Sequence, residues 1–275
     1  MRKILAVALF LLAGLLCACG SDPVEESSFP RASDPVTKTV YVHTEIAQTY
    51  GDTTTRTRYL YDAQDCLTQV VISTNDTESL RYQVTCDENG NPLRWETTME
   101  GKASVIEYTY DKQGQVLGTY VYTEGKLMTA TEYTWGNGLR VSVTAKAPSQ
   151  NYERRTEYTY DENHTLFRED LYINGELSAY TICTCDPEGT LTESRTYNLE
   201  GELQSIVTYT YDGGKETRTT TDADSNLLRT QELTYDDHGN LLSSAIYDQN
   251  RELLAQETHI WMPIAVDPAT PRASI

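Results

Sequence analysis

The feature that most constrains this chain is a short sequence that keeps returning. YTYD occupies residues 108–111, 158–161 and 209–212, and related versions occur between these copies. Aligned on the last residue of the motif, successive copies are 24 to 26 residues apart. The aligned positions are Asp62, Asp87, Asp111, Gly136, Asp161, Asp186, Asp212, Asp236 and Met262. Spacing this regular predicts a structural repeat between about residues 41 and 262, with one supersecondary unit per period.

Each period holds two extended runs separated by two turns. The second turn follows the first by about ten to thirteen residues, as in YTEGKL (122–127) and YINGEL (172–177). The runs are rich in Thr, Tyr and other residues that favour strands, and none has a convincing helical period. We therefore predict an all-β fold: an antiparallel meander of about 16–18 strands, built from YD-type hairpin repeats of ~25 residues, in a curved or spiralling sheet.

The aspartate that ends each motif is typical of a hairpin turn. In DENGN (87–91) and DDHGN (236–240) it begins the pattern Asp-x-x-Gly. An Asp side chain at the first turn position accepts backbone N–H groups, and Gly at the fourth adopts the left-handed conformation that closes a type I turn with a bulge. We predict a structural rather than a catalytic role for these turn residues. They are Asp62, Asp87, Asp111, Asp161, Asp186, Asp212, Asp236, Gly90, Gly114, Gly189 and Gly239.

The paired aromatic residues predict a ladder of rings. The chain contains 20 Tyr but only 3 Phe. Residues i and i+2 of a strand share a face, so stacked repeats place Tyr beside Tyr, and each cross-strand pair contributes roughly 0.2–1 kcal/mol. The predicted ladder consists of Tyr59, Tyr61, Tyr108, Tyr110, Tyr133, Trp135, Tyr158, Tyr160, Tyr209, Tyr211 and Tyr235. Scarce Phe and a hydrophobic content of 39% favour a thin sheet over a thick closed core.

These residues carry a resemblance to a known family. Tyr-x-Tyr-Asp-x-x-Gly-x-Leu, present as YTYDKQGQVL (108–117) and LTYDDHGNLL (233–242), resembles the YD repeat of the RHS family. That family includes bacterial polymorphic toxins, wall-associated proteins and teneurins. The resemblance implies a β-strip, which in large members spirals into a shell around a toxin. Eight to nine units are few for such a shell, and only thirteen residues follow Met262, so we carry over the sheet and not the encapsulation.

The N-terminal residues predict export and lipid attachment. Arg2 and Lys3 precede a short apolar run, which is typical of a secretory signal. The sequence Leu16-Cys17-Ala18-Cys19-Gly20 then resembles the lipobox of bacterial lipoproteins, which implies cleavage before Cys19 and its lipidation. The alternative is a plain secretory signal that leaves Cys19 as a free thiol.

The predicted organisation therefore has four parts. Residues 1–18 form a lipoprotein signal peptide, and residues 19–40 form a flexible tether rich in acidic residues, Pro and Ser. Residues 41–262 form the repeat domain, and residues 263–275 form a loose tail. The predicted location is the bacterial cell envelope or surface, where the lipid anchor attaches the protein to a membrane.

Charge excludes one class of partner. Removal of residues 1–18 leaves 20 Lys and Arg against 41 Asp and Glu, a net charge of −21. So acidic a surface repels nucleic acid. Solubility of a Tyr-rich exterior protein is a sufficient reason for this charge, and cation binding is the alternative.

No catalytic motif or convincing metal site is present. Cys66, Cys86, Cys183 and Cys185 remain after processing, and three of them stand where other units have ladder aromatics, which favours packing; a Cys66–Cys86 disulfide is an alternative. DADSN (222–226) begins like a calcium loop but lacks its Gly and Glu. We therefore predict no cofactor, no metal and no enzymatic activity.

The remaining functional candidate is the surface. Trp95, Trp135 and Trp261 could stack on sugars, or an extended peptide could pair with an open sheet edge. The leading hypothesis is a non-catalytic scaffold or binding module for a glycan or protein partner. The alternative is a truncated relative of RHS toxins that acts as a shell piece or as an accessory in toxin delivery.

Overall fold

The computed structural model describes residues 38–266 as eighteen β-strands and one short 3₁₀ helix, Pro148–Gln150. The strands are β1 (Lys38–Tyr50), β2 (Thr53–Tyr61), β3 (Leu67–Thr74), β4 (Thr77–Cys86), β5 (Pro92–Met99), β6 (Lys102–Tyr110), β7 (Val116–Thr123), β8 (Lys126–Gly136), β9 (Leu139–Ala147), β10 (Tyr152–Tyr160), β11 (Leu166–Ile173), β12 (Glu176–Cys185), β13 (Leu191–Tyr197), β14 (Leu203–Asp212), β15 (Lys215–Asp222), β16 (Leu227–Tyr235), β17 (Leu241–Asp248) and β18 (Leu253–Val266). The predicted signal peptide, Cys19 and most of the predicted tether and tail lie outside the described residues.

The sheet is a single antiparallel meander that closes on itself. Each strand pairs with the next in sequence, and β1 also pairs with β18, from Lys38↔Val266 to Thr49↔Gln256. The all-β meander predicted from the repeat is confirmed. The open, curved or spiralling sheet is wrong, because the first and last strands satisfy each other's backbone groups and the meander becomes a closed barrel.

Closure also moves the predicted boundaries of the repeat domain. Residues 38–40, predicted to belong to the tether, lie in β1, and residues 263–266, predicted to begin a loose tail, lie in β18. Their sequences lack the aromatic motif, but they pair with each other, as in Val40↔Ile264. Nothing helical within residues 38–266 could traverse a lipid bilayer.

Alternate hairpin turns lie at opposite ends of the barrel, because successive strands run in opposite directions. The turn between β2 and β3 and every second turn after it lie at one end, which we call the aspartate end. The start of β1 and the end of β18 also lie there. The remaining turns, beginning with Gly51–Asp52 between β1 and β2, lie at the opposite end.

The turns at the aspartate end show how the repeated Asp acts. In the turn after β6, the backbone N–H groups of Gln113 and Gln115 both donate to Asp111 Oδ1 at 2.9 Å, and Gly114 has a φ of 82°. The Oδ1 atoms of Asp62, Asp87, Asp161, Asp186 and Asp236 accept backbone N–H groups in the same way. Gly90, Gly189 and Gly239 have the same left-handed backbone as Gly114. The side chain thus replaces hydrogen bonds that the turn would otherwise lack.

Asp212 departs from this pattern. It is the last residue of β14 and pairs with Lys215. The turn itself consists of Gly213 and Gly214, with φ values of 53° and 79°. Two consecutive glycines permit a tight two-residue hairpin, so this unit does not use an aspartate at the first turn position.

A bulge follows most of the aspartate turns. Tyr110 lies opposite Val116, but Thr109 lies opposite Gly118, so Leu117 is an extra residue in β7. The same skip occurs at Thr68, Leu93, Phe167, Thr192 and Leu242. Bulges bend a strand and increase its local twist, so their recurrence helps the sheet to curve into a barrel.

One face of the sheet is concave and forms the inside of the barrel. The rings of Tyr59 on β2 and Trp95 on β5 have centroids 6.5 Å apart, although three strand spacings of about 4.8 Å separate these strands. Such an approach requires side chains that converge on a concave face, which we call the inner face. On it an apolar cluster spans β1 to β7, and its buried members are Ile46, Tyr59, Leu67, Val70, Ile72, Tyr82, Trp95, Ile106, Tyr108 and Val121.

Candidate binding surfaces

The strand register places the predicted ladder aromatics on the inner face. Tyr59 lies opposite Val70, which lies opposite Tyr82, and all three are buried. Trp95 lies between the rings of Tyr82 and Tyr108, with centroids 6.0 and 5.5 Å away. The tyrosines therefore pack mainly across curved strands, and burial raises the pKa of Tyr59 and Tyr108 because the phenolate would lose its water.

The second aromatic residue of each motif makes a recurrent contact that we call the latch. The Tyr110 hydroxyl donates to the backbone oxygen of Pro92, the first residue of the preceding strand, at 2.7 Å. Trp135 Nε1 donates to the equivalent oxygen of Val116 at 2.8 Å. The latch also forms from Tyr61 to His43, Tyr160 to Arg140, Tyr211 to Leu191 and Trp261 to Leu241. In every latch except that of Tyr61, the acceptor is one of the first two residues of the strand that follows the previous turn at the aspartate end; Tyr61 instead reaches His43 within β1.

Cysteines occupy the latch position in two repeats. Cys86 Sγ lies 3.4 Å from the backbone oxygen of Leu67, and Cys185 Sγ lies 4.0 Å from that of Leu166. None of the four cysteines in the described strands and turns takes part in a disulfide, so Cys66 and Cys86 form no bridge. Burial raises the pKa of Cys183 to about 12, which keeps this thiol neutral at pH 7.

The inner face is apolar on one side of the barrel and polar on the other. The apolar cluster occupies β1 to β7, whereas β11 to β18 place carboxylates, hydroxyls and imidazoles on the same face. Glu169 illustrates the polar side: burial raises its pKa, while Arg140 and Arg154 act in the opposite direction. Both sides of the barrel are built from the same repeat, but the inward-facing side chains are apolar on one side and polar on the other.

One polar cluster centres on Glu216, which is only 6% exposed. Arg218 Nε lies 2.5 Å from Glu216 Oε1, and the Tyr235 hydroxyl donates to Glu216 Oε2 at 2.9 Å. This contact replaces the backbone latch in the repeat of Tyr235. Burial raises the pKa of both Tyr211 and Tyr235 to about 12, and the negative charge of Glu216 adds to the effect.

A second polar cluster lies where the barrel closes. His43 Nε2 and His259 Nδ1 are 3.1 Å apart, and His259 Nε2 lies 2.8 Å from Glu257 Oε1. The rings of His43 and Trp261 are in contact, with centroids 3.5 Å apart. Gln48 donates to the other oxygen of Glu257 at 3.0 Å. Although burial opposes it, these donors lower the pKa of Glu257 and so stabilise its charge.

Both clusters consist of carboxylates whose oxygens already have cationic or hydrogen-bonding partners. Such an arrangement holds charge in place and crosslinks strands. Among residues 38–266 no group of three or more His, Cys, Asp or Glu side chains is arranged to hold a metal ion. The calcium-like sequence begins at Asp222, whose Oδ1 accepts the N–H groups of Asp224 and Asn226 in an ordinary turn at the opposite end.

The tryptophans do not form the surface that the sequence suggested. Trp95 is 2% exposed, and Trp135 and Trp261 use their indole N–H groups in latches. Each described strand also has two partners, so the part of the sheet that the structure describes offers no open edge to a peptide.

The outer face of the barrel is largely charged. Glu45 binds Arg56 and Arg58, each at 2.9 Å, and Lys146 binds Glu132 at 2.7 Å. Exposed pairs of this kind contribute little to stability, about 0–1 kcal/mol each, but they suit contact with water.

One part of the outer face combines arginines with tyrosine rings. Arg155 on β10 lies 4.3 Å above the ring of Tyr172, and Arg168 on β11 lies 4.6 Å above that of Tyr180. The rings of Tyr180 and Tyr197 stack at 5.2 Å with 16° between their planes. We call Arg155, Tyr172, Arg168, Tyr180, Tyr197 and Arg195 the Arg–Tyr strip. Tyr172 begins the predicted turn YINGEL, but the grouping of these six residues was not predicted.

Carboxylates hold the arginines of the strip in place. Arg155 binds Glu157 at 2.6 Å, Arg168 binds Asp170 at 2.6 Å, and Arg195 binds Glu193 at 2.7 Å. The side chains of Arg155 and Arg168 are 36% and 34% exposed, so the strip is fixed but still accessible.

Comparisons with known proteins give limited information. One family model, described as "Uncharacterised protein", matches residues 86–189, which is less than half of the chain. No curated protein matches the chain. One similar solved structure is that of TcdB2-TccC3-Cdc42, with 12% identity over 79% of this chain and a TM-score of 0.36. This chain covers only 14% of that one.

Two porin-like proteins are also similar. The one from Bacteroides vulgatus is 10% identical, covers 82% of this chain and is itself covered over 100% of its length, with a TM-score of 0.29. The one from Bacteroides uniformis is 12% identical, with 81% and 96% coverage and a TM-score of 0.30. Scores this low support no conclusion about function.

The latch generates a stability prediction. Tyr110→Phe removes the hydroxyl that donates to Pro92 and leaves the ring in place, so the free energy of unfolding should fall by about 0.5–1.5 kcal/mol in urea titrations at pH 7. Tyr50→Phe is the control, because Tyr50 is 54% exposed, and should change stability by less than about 0.5 kcal/mol. Equal losses in the two variants would contradict a specific latch.

Proposed function

We propose that this chain is a non-catalytic lipoprotein of the bacterial cell envelope, whose barrel of YD-type repeats is a binding module for a protein partner. The observation that carries the proposal is the Arg–Tyr strip on the outer face of β10 to β13. Tyr and Arg are the residue types that most often dominate protein–protein binding energy. Here their side chains are fixed before any partner arrives, which reduces the entropy lost on binding.

The geometry of the strip favours a protein over a glycan. Sugars stack on open ring faces, but guanidinium groups cover the faces of Tyr172 and Tyr180. The arginines keep part of their surface accessible and can donate to carboxylates or backbone oxygens of a partner. A protein surface supplies both kinds of contact across several strands.

Closure of the sheet favours a binding module over a shell piece. A shell segment needs strand edges that continue into the next segment. The pairing of β1 with β18 uses both of those edges within the chain itself. The Glu216 and Glu257 carboxylates on the inner face have partners within the barrel, so the outer strip is the better candidate for a partner protein.

The anchor would hold the barrel by its aspartate end. The described chain begins at that end with Lys38, and residues 19–37 span at most about 68 Å when fully extended. The acidic end would then stand off from anionic headgroups, and the Arg–Tyr strip on the side wall would remain free for a partner beside the membrane.

Lipid attachment has a direct test. In a bacterial host, Cys19→Ala should abolish incorporation of a labelled fatty acid and release the protein from the membrane fraction, because the acyl acceptor is gone. Cys17→Ala is the matched control and should remain acylated and membrane-bound. Acylation of Cys19→Ala, or its loss only in Cys17→Ala, would contradict attachment at Cys19.

The Arg–Tyr strip is tested by photo-crosslinking in the bacterium that makes the protein. A benzoylphenylalanine at Thr184, an exposed position on the outer face of β12 beside the strip, should give one discrete protein adduct. Thr85 is the matched control, because it has the same position in the repeat of β4, is also exposed and lies outside the strip.

Substitution of two arginines of the strip tests whether the crosslinked adduct depends on it. Arg155→Ala with Arg168→Ala should abolish the Thr184 adduct, since loss of such residues typically weakens binding by about 2 kcal/mol or more each. Circular dichroism checks that the variant keeps its strands. The proposal fails if Thr184 gives no adduct, if Thr85 gives the same adduct, or if the adduct survives the double substitution; a carbohydrate adduct would assign the strip to a glycan.

A further inference from the structure

The latch position is filled by a ring in seven of the nine repeats and by cysteine in those of β4 and β12. The strand β12 differs further, because its first ladder position is also a cysteine: Cys183 and Cys185 stand where Tyr158 and Tyr160 stand in β10 and Tyr209 and Tyr211 in β14. The strand β4 has Val84 and Cys86 at the same two positions, whereas in β12 two aromatic side chains are thus replaced by two cysteines.

A cleft of about 430 Å³ lies at this place. It opens at the aspartate end, between the turn after β10 and the turn after β12. Its walls include Leu166, Phe167, Cys183, Cys185 and Pro187. The volume falls within the range of roughly 300–1,000 Å³ that is typical of small-molecule sites.

The cysteines contribute apolar surface to the cleft. Cys183 and Cys185 are neutral thiols at pH 7, because burial raises the pKa of both. Neutral buried thiols behave as small hydrophobic groups. The backbone oxygen of Leu166 lies at the same position as the oxygens that accept latch hydrogen bonds in the other repeats, but its latch partner is a sulfur atom 4.0 Å away.

The other cysteine repeat shows that a missing ring alone does not open a cleft. Cys86 packs against the apolar cluster, and its sulfur lies closer to the latch oxygen, at 3.4 Å. Leu67 beside it is 3% exposed. Large neighbours fill that space, whereas the neighbours of Cys185 leave it open.

We propose that the cleft binds a small phenol whose hydroxyl is un-ionised; the ring occupies the place of the missing ladder ring, and the hydroxyl donates to the backbone oxygen of Leu166. The side chain of Phe167 and the thiols of Cys183 and Cys185 would pack against the ring. The contact with Leu166 would reproduce the latch that Tyr160 and Tyr211 make on either side of the cleft. The inference goes beyond the proposed function, since it concerns a different surface and a different class of ligand.

The charge around the cleft restricts the phenol. Asp161, Asp186 and Glu188 line its mouth. These carboxylates repel a phenolate and any phenol that bears a carboxylate, and they attract one that bears an ammonium group. The site therefore favours tyramine over p-cresol, and p-cresol over 3-(4-hydroxyphenyl)propionate.

The test is a titration of the isotope-labelled barrel followed by NMR. Saturable shifts of the Thr165 and Gly189 amides, which belong to the cleft, are expected with p-cresol. Toluene, which lacks the hydroxyl, should bind at least about fivefold more weakly. Tyramine should bind more tightly than p-cresol, and the difference should shrink as salt is added. A titration with N-acetyltyrosinamide, which carries a tyrosine side chain between blocked termini, tests whether the ring comes from a tyrosine residue rather than from a free phenol.

Variants at one residue provide the control. Cys185→Tyr restores the ladder ring and should weaken p-cresol binding at least about tenfold, whereas Cys185→Ala keeps the space open and should bind like the parent. Cys183→Tyr is a second filling variant in case the first does not fold. The proposal is overturned if p-cresol causes no saturable shift at Thr165 and Gly189, if folded filling variants bind it like the parent, or if toluene binds as well as p-cresol.

Discussion

The pairing of β1 with β18 is the constraint on which the rest of the structure depends. A meander of hairpins always leaves two strands with one unpaired edge, and here those two edges satisfy each other over eleven paired residues of β1, between Lys38 and Thr49, and the facing part of β18. Once the ring is closed, every side chain has to face either inward or outward. The aromatic ladder then becomes an internal lining, and the ion pairs become an outer wall.

The latch explains how a thin sheet of this kind keeps its curvature. Neighbouring strands are joined by the backbone ladder, but the ladder alone leaves the angle between repeats free to vary. Each latch adds one hydrogen bond from a large side chain to the backbone of the strand before it, as from Tyr110 to Pro92. Where Cys183 and Cys185 replace two rings, a cleft lies at the aspartate end of the barrel. The latch position therefore determines both how the repeats are held together and where the candidate ligand site lies.

Sequence reasoning recovered what lies within one repeat and missed what depends on distant parts of the chain. Asp-x-x-Gly, Thr-rich runs and fixed spacing were sufficient to predict turns, strands and the meander, since all of these are local. Closure joins residues more than two hundred positions apart, such as Val40 and Ile264, and carries no local signature. The latch did leave a signal: all nine residues at its position can donate a hydrogen bond, and none is Phe or Leu. They are Tyr61, Cys86, Tyr110, Trp135, Tyr160, Cys185, Tyr211, Tyr235 and Trp261. The Arg–Tyr strip left no such signal in the sequence, because it combines residues from different positions of four strands.

Closure is tested most directly by the distance between the first and last strands. Spin labels at Thr49→Cys and Gln256→Cys, in a chain whose other cysteines are alanine, report this distance in solution by pulsed electron resonance. Paired strands place the labelled backbones about 5 Å apart, so the labels should lie within about 20 Å of each other. An open meander would separate β1 from β18 by seventeen strand spacings, about 80 Å. A distance distribution centred beyond about 40 Å would contradict the closed barrel.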